Sequence, residues 1–171
     1  LLQRDARTLN DYCGHRARLA EGHSLLRQAL ASAEVGGEPG TRAVLLAFAS
    51  SLESRRDHYA EAQAMATEGL AAARAVRDAA TQKKCLSVLA TCTMRLGSLA
   101  ESRSLLQRAL AVAGDSRRPH EEAGLLDNLS TLEKRLGNLD EALRLGIDAL
   151  AQYRRASDSG GVALCLNNLG S

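Results

Sequence analysis

Four cations stand at one phase of the sequence, forty residues apart: His15, Arg55, Arg95 and Arg135. A row of arginines suits carboxylate recognition, because each guanidinium offers a planar fork for bidentate hydrogen bonds. The same cations serve equally well at the ends of helices, where a positive charge meets the negative end of the dipole, for about 0.3–1 kcal/mol each. Both readings stand. The other reactive side chains are dispersed. Cys13, Cys85, Cys92 and Cys165 form no C-x-x-C pair, and Cys85 and Cys165 share the phase of Leu45 and Leu125. They read as buried, reduced thiols rather than as a zinc site, which needs clustered ligands. His15, His23, His58 and His120 have no recurrent acidic or cysteine partner and read as surface residues. There is no H-E-x-x-H, no phosphate loop and no G-x-S-x-G, and the glycine-rich stretch Gly36 to Gly40 follows no strand. Neither an enzyme nor a cofactor or resident metal is expected.

The elements that position these residues follow from a repeat. Leu129 to Leu150 reads as two short amphipathic helices joined at Leu136-Gly137-Asn138, and steps of forty residues back give Leu89 to Leu110, Ala49 to Leu70 and Leu9 to Leu30. Self-similarity at such a period decides the fold before any local propensity does. Each copy keeps a glutamate (Glu21, Glu61, Glu101, Glu141), and a leucine nine residues later (Leu30, Leu70, Leu110, Leu150). Within a helix the apolar residues recur every three to four positions, which is a helical stripe and not a strand. The units fall at about 1–40, 41–80, 81–119 and 120–160, with a truncated fifth at 161–171, in a single array. Ser98 to Glu101 and Asn138 to Glu141 fit the capping box, which accounts for the fixed phase of the glutamates. Gly97 and Gly137 sit where a helix ends in a left-handed residue, whereas Ala17 and Asp57 predict weaker stops in the first two units. Glu34 to Gly40, Gly114 to Pro119 and Ser157 to Gly161 read as loops, and the turn around Val76 to Thr81, without glycine or proline, as tighter or more helical.

Composition narrows the class. Hydrophobic content is 45% but aromatic content only 2%, so the interior must be leucine and alanine, a thin core of closely approaching helices. A net charge of +2 is too mild for a nucleic-acid binder, which concentrates basic residues on one face. No apolar run approaches the length of a membrane span and no signal peptide is visible, which predicts a cytoplasmic protein. Three lysines among 22 basic residues, with much alanine, suggest a GC-rich bacterial genome, and the start at Leu1 suggests a piece of a longer protein.

The pattern N-L-x-x-L-x-x-x-L-G-x-L-x-E-A-x-x-L-x-x-x-A-L resembles the tetratricopeptide repeat in a long form of about forty residues. Leu129, Leu132, Gly137, Leu139, Ala142, Leu145 and Ala149 fall on its framework, and Leu89, Gly97, Leu99, Leu105 and Ala109 do so one unit earlier. Glu53 and Glu133 stand where the family has a large aromatic, and Ala66 and Gly146 replace a bulky residue, so looser packing is expected there. The resemblance implies an all-α, right-handed superhelical solenoid of antiparallel helix pairs, whose first helices line a concave groove.

Carrying the inner face over places Arg4, Arg7, Asp11 and His15 in the groove from unit one, then Val44, Ala47, Ser51, Ser54 and Arg55 from unit two. Unit three contributes Lys84, Ser87, Thr91, Met94 and Arg95, and unit four Gly124, Asp127, Thr131, Lys134 and Arg135. The family implies a scaffold that binds a peptide or protein segment. The cationic row makes that segment acidic, and no direct nucleic-acid or membrane partner is expected. The alternative is a sensory or autoinhibitory module, since the repeat length and composition are similar to the helical arrays of bacterial transcription regulators and signalling ATPases. The apolar positions Val162, Leu164, Leu166 and Leu169, without a polar capping helix, predict self-association through the end of the array.

Overall fold

The computed structural model describes residues 24–31, 39–112 and 119–170. They form eight helices: α1 (residues 24–31), α2 (Pro39–Arg55), α3 (Tyr59–Ala75), α4 (Ala79–Arg95), α5 (Leu99–Ala111), α6 (Pro119–Arg135), α7 (Leu139–Arg155) and α8 (Ser159–Gly170). No strand occurs among the described residues. From α2 onward consecutive helices pack on each other, and α2, α4, α6 and α8 also meet directly, each with the next. The arrangement is a solenoid of helical hairpins with the first helix of each hairpin on a common inner layer.

The joints recur every twenty residues, not only every forty. Arg56-Asp57-His58, Val76-Arg77-Asp78, Leu96-Gly97-Ser98, Leu136-Gly137-Asn138 and Ala156-Ser157-Asp158 share one geometry. In each, the middle residue is left-handed, with φ of 64° at Asp57, 54° at Arg77, 95° at Gly97, 84° at Gly137 and 53° at Ser157. The residue after it returns its N–H to the carbonyl five back, as from His58 to Glu53 at 3.0 Å and from Asp78 to Ala73 at 2.9 Å. This is the Schellman closure of a helix end. The Asp57 joint and the Val76 turn therefore match their glycine counterparts, contrary to expectation. The hydrogen bonds hold a non-glycine residue in a conformation that costs it roughly 1–2 kcal/mol.

The same closure overturns the capping boxes. The Ser98 and Asn138 side chains make no cap hydrogen bond. Their own amides, which a capping glutamate would reach, already donate to Thr93 and Glu133 carbonyls at 3.0 and 2.9 Å. Glu141 binds Arg144 instead, at 2.7 and 2.8 Å. Side-chain caps occur at first helices, where Asp78 Oδ1 accepts from the Thr81 amide at 3.1 Å and Asp158 Oδ1 from that of Gly161 at 2.9 Å. Pro39 and Pro119 lie inside α2 and α6 as their first residues rather than in loops. Proline suits that position because its missing N–H has no helical acceptor there. Gly160 and Gly161 likewise belong to α8.

The core is as thin as the composition demands. Buried alanines such as Ala43, Ala62, Ala66, Ala90 and Ala109 interleave with Leu52, Leu86, Leu106 and Leu132. Packing at the departures from the family framework is close, not loose. A Cβ on Gly146 would lie 2.5 Å from Leu169 Cδ2 and 3.1 Å from Ser130 Oγ. Glu53 and Glu133 are 0% and 3% exposed, which requires each carboxylate to be compensated by hydrogen bonds or opposite charge.

Candidate interaction surface

The inner layer opens into a groove of about 440 Å³ between α2, α4 and α6. One wall is apolar, from Val44, Ala47, Phe48, Val88 and Leu125, and Lys83, Lys84 and Glu121 supply charge beside the His120 ring. The Lys84 ammonium sits 4.5 Å from the centroid of the Phe48 ring, within cation–π range. His120 Nδ1 lies 2.6 Å from Asp158 Oδ2, and its ring meets Tyr153 edge-on at 6.1 Å. The Gly161 amide, aided by His120 against the opposing effect of burial, holds the Asp158 carboxyl below the usual range. His58 and His120 remain surface residues, but each has an acidic partner, Glu53 and Asp158, that the linear spacing hides.

Of the residues placed in the groove by the repeat, Val44, Ala47, Ser51, Lys84, Ser87 and Gly124 line it. Thr91 is half-buried and donates to the Ser87 carbonyl at 3.0 Å, and Thr131 is half-buried on α6. Asp127 is only 4% exposed; its Oδ2 accepts from Asn168 Nδ2 at 3.0 Å while Oδ1 has no partner among the described residues. Lys134 Nζ donates to the Asn168 carbonyl at 3.4 Å, and Arg135 Nη1 to the Met94 carbonyl at 3.3 Å. Arg55 and Arg95 end α2 and α4 and are exposed. His15, with Arg4, Arg7 and Asp11, lies outside the described residues.

The column carried over from the repeat is too narrow by one position. Phe48, Val88 and Asn128, each following a predicted residue, share its forty-residue phase and also line the groove. That spacing was available in the sequence. The polar groups of Lys83, His120 and Glu121 have no such signal, because none of them recurs. Ala43 and Ala123 share the phase of Lys83, Gly40 and Ala80 that of His120, and Thr41 and Thr81 that of Glu121.

Two clasps stiffen the joints behind the groove. Arg103 on α5 donates from Nε to Glu133 Oε1 at 2.6 Å and from Nη2 to Oε2, and Asn138 Nδ2 adds a bond at 2.7 Å. Arg103 thereby keeps the Glu133 carboxyl low, with Asn138 reinforcing it against burial. Glu53 is held by Arg56 at 3.0 Å and by His58 at 2.7 Å. Cys85, Cys92 and Cys165 are free and buried, and burial raises the Cys85 thiol to about 12 and that of Cys165 to about 11.

No protein-family model matches the sequence, and no curated protein matches it. Solved structures do. A putative kinesin light chain from Podosopora anserina with nearly identical TPR-like repeats superimposes with a TM-score of 0.67 at 15% identity, over 98% of this chain and 82% of that one. BtubC (BKLC) from P. vanneervenii superimposes with a TM-score of 0.66 at 21% identity, over 90% of this chain. This chain spans 62% of the length of the latter. The hairpin order, the Schellman joints and these superpositions agree on one architecture: the fold is that of a tetratricopeptide-like helical repeat array.

Proposed function

We propose that the chain is a protein-interaction scaffold whose groove between α2, α4 and α6 takes a protein segment carrying acidic residues beside an apolar one. The observation that carries this reading is the pairing of an apolar wall, Val44, Phe48 and Val88, with Lys83 and Lys84 on the same groove. An apolar side chain buried on that wall supplies affinity, and lysines at its rim select against basic segments. In this reading Arg55, Arg95 and Arg135 extend the cationic row along the inner layer and Thr91, Thr131 and Lys134 complete the surface, while His15 lies outside the described residues and Asp127 is buried against Asn168. The likeness in fold to TPR-like repeat proteins supports the general role of a scaffold.

Selection from a randomised peptide display library tests it, with the Lys83→Glu/Lys84→Glu variant as counter-target. Enrichment of acidic-apolar sequences that the variant no longer binds is the expected result. Absence of any enriched sequence would move the reading to a module that contacts its own flanking domains.

A second surface belongs to the same proposal. Leu139, Leu143 and Ile147 form a stripe on α7 that is 54–64% exposed, and Leu164 and Leu166 on α8 are 54% and 48% exposed. Val162 and Leu169, expected on that face, pack instead beside Tyr153 and Cys165. The stripe and the two leucines are the surface through which copies associate, and sedimentation at rising concentration reads it: a monomer throughout removes this part.

A further inference from the structure

Exposed guanidiniums end the inner helices at one phase, Arg55 on α2, Arg95 on α4 and Arg135 on α6. One turn before each stands a half-buried hydroxyl, Ser51, Thr91 or Thr131. Residues four apart share a helix face, so each hydroxyl and its arginine look the same way. Ser51 also lines the groove, which sets both columns along the edge nearest the helix C-termini. Arg135 gives one N–H to the Met94 carbonyl at 3.3 Å. Arg55 and Arg95 make no hydrogen bond or ion pair among the described residues, and Arg95 acts on the Tyr59 phenol by its field alone. The buried carboxylates of the same helix ends look elsewhere, Glu53 to Arg56 and His58, and Glu133 to Arg103 and Asn138.

The spacing of this row selects a chain conformation. The helices α2, α4 and α6 pack on one another in order, and packed helices lie about 8–10 Å apart. The arginines are therefore anchored at that interval, across the helices rather than along one. A polyproline II chain rises about 3.1 Å per residue with three residues per turn, so every third side chain faces one side, about 9 Å further on. A β-strand alternates faces and turns its third residue away. An α-helix regains the distance only after about two turns, and its peptide groups are bonded internally, with nothing for the hydroxyl column. A polyproline II chain leaves its N–H groups open. A hydroxyl can accept one even when, as at Thr91, it already donates to a carbonyl at 3.0 Å.

We propose that the partner segment lies across α2, α4 and α6 in polyproline II form, with an acidic residue at every third position facing Arg55, Arg95 and Arg135. This rests on the scaffold reading above and adds to it the conformation and register of the segment. Each carboxylate takes a guanidinium in a bidentate pair, and Ser51, Thr91 and Thr131 accept backbone N–H groups. One of the two intervening side chains turns toward Ser51 and the apolar wall behind it.

Fluorescence anisotropy of the full chain with a repeating Glu-Ala-Pro peptide tests this, beside a peptide of the same composition whose glutamates are consecutive. The two carry equal charge, so only register separates them. The regular peptide should bind about 10-fold more tightly, and Arg95→Gln, with unchanged helicity, should remove that preference. Thr91→Val should weaken the regular peptide without altering its salt dependence, since no charge is lost. Equal binding of the two peptides overturns the register and leaves the scaffold reading to the display selection, which turns on Lys83 and Lys84. Tighter binding of a helix-forming peptide with glutamates about seven positions apart, two helical turns, overturns it too, as does no binding of either extended peptide.

Discussion

Asn168 on α8 donates to the buried Asp127 carboxylate on α6 across a step of 41 residues, the same step by which Asn128 on α6 reaches Ser87 on α4. Arg135 reaches the Met94 carbonyl by that step as well. The inner layer is thus bound by one recurring register in which the chemistry changes and the geometry does not. Asp127 is the costly member, because its second oxygen has no partner among the described residues. Asp127→Asn removes a buried charge while keeping an acceptor for Asn168. Chemical denaturation should show it at least as stable as wild type, by about 1 kcal/mol if the orphaned oxygen carries the usual penalty. A clear loss would mean that the carboxylate has a partner the amide does not replace, the neighbouring Cys165 thiol being the candidate.

Arg103 and Glu133 make the acid limb of stability. The Glu133 carboxyl lies below its ordinary 4.5 in the folded chain, so its contribution is present above that value and lost as pH falls through the lower one. Arg103→Met should lower the urea midpoint at neutral pH. Its deficit relative to wild type should shrink as pH falls below the ordinary 4.5 and through the lower folded value, where Glu133 becomes protonated in the folded chain as well as the unfolded one. A deficit independent of pH would make Arg103 a packing residue only.

The left-handed joints can be improved or damaged one residue at a time. Arg77→Gly relieves a φ of 54°, and Gly137→Ala imposes a side chain at a φ of 84° where no atom lies within 4 Å. The first should raise stability and the second lower it, each by roughly 1 kcal/mol in urea denaturation. Equal midpoints for all three proteins would show that the Schellman bonds alone set the conformation.

These joints also mark what was legible in advance. Gly97 and Gly137 announced their backbone, and the forty-residue phase of the leucines announced the helices. Asp57, Arg77 and Ser157 adopt the same turn without the residue that signals it, so the twenty-residue period was invisible. Buried Glu53 and Glu133 read as gaps in the framework because their partners lie three to thirty residues away. The groove was legible as columns. Which of its cations reach the apolar wall depends on how successive first helices cross, and among the described residues Lys84 alone of the expected basic ones does.

Adjacent glycines in α8 should respond oppositely to alanine. A Cβ on Gly161 would lie 2.2 and 2.3 Å from Tyr153 Cδ1 and Cε1, whereas one on Gly160 would lie 3.5 Å from Asp158 Oδ1, an ordinary contact. Gly161→Ala must displace a ring that is 5% exposed and packs with Ala123, Ala149 and Cys165. Overpacking of that kind costs about 1–3 kcal/mol. Gly160→Ala should be neutral or gain up to ~1 kcal/mol of helix propensity. Thermal melts with Tyr153→Leu added should show a smaller penalty for Gly161→Ala, and additive effects would exclude the ring as the cause.

The thiols and Tyr153 set the alkaline limit. Folded Cys85 and Tyr153 are raised to about 12 and Cys165 to about 11, from ordinary values of 9.0 for the thiols and 10.0 for the phenol. A raised acid is held neutral by the fold, so stability is complete below the unfolded value and falls as pH rises toward the folded one. Unfolding should therefore set in above about pH 9 and steepen toward pH 11. Burial, which keeps these groups protonated, also keeps reagents away, since the thiolate is the reactive form. Labelling of Cys85, Cys92 and Cys165 by a thiol reagent at pH 8, resolved by peptide mass, should then proceed at the rate of opening and accelerate with urea. Cys165→Ala should shift the alkaline midpoint upward while leaving the labelling of Cys85 unchanged, because the two belong to separate apolar clusters. Fast labelling of Cys85 in the native chain would contradict the closed core between α3 and α4.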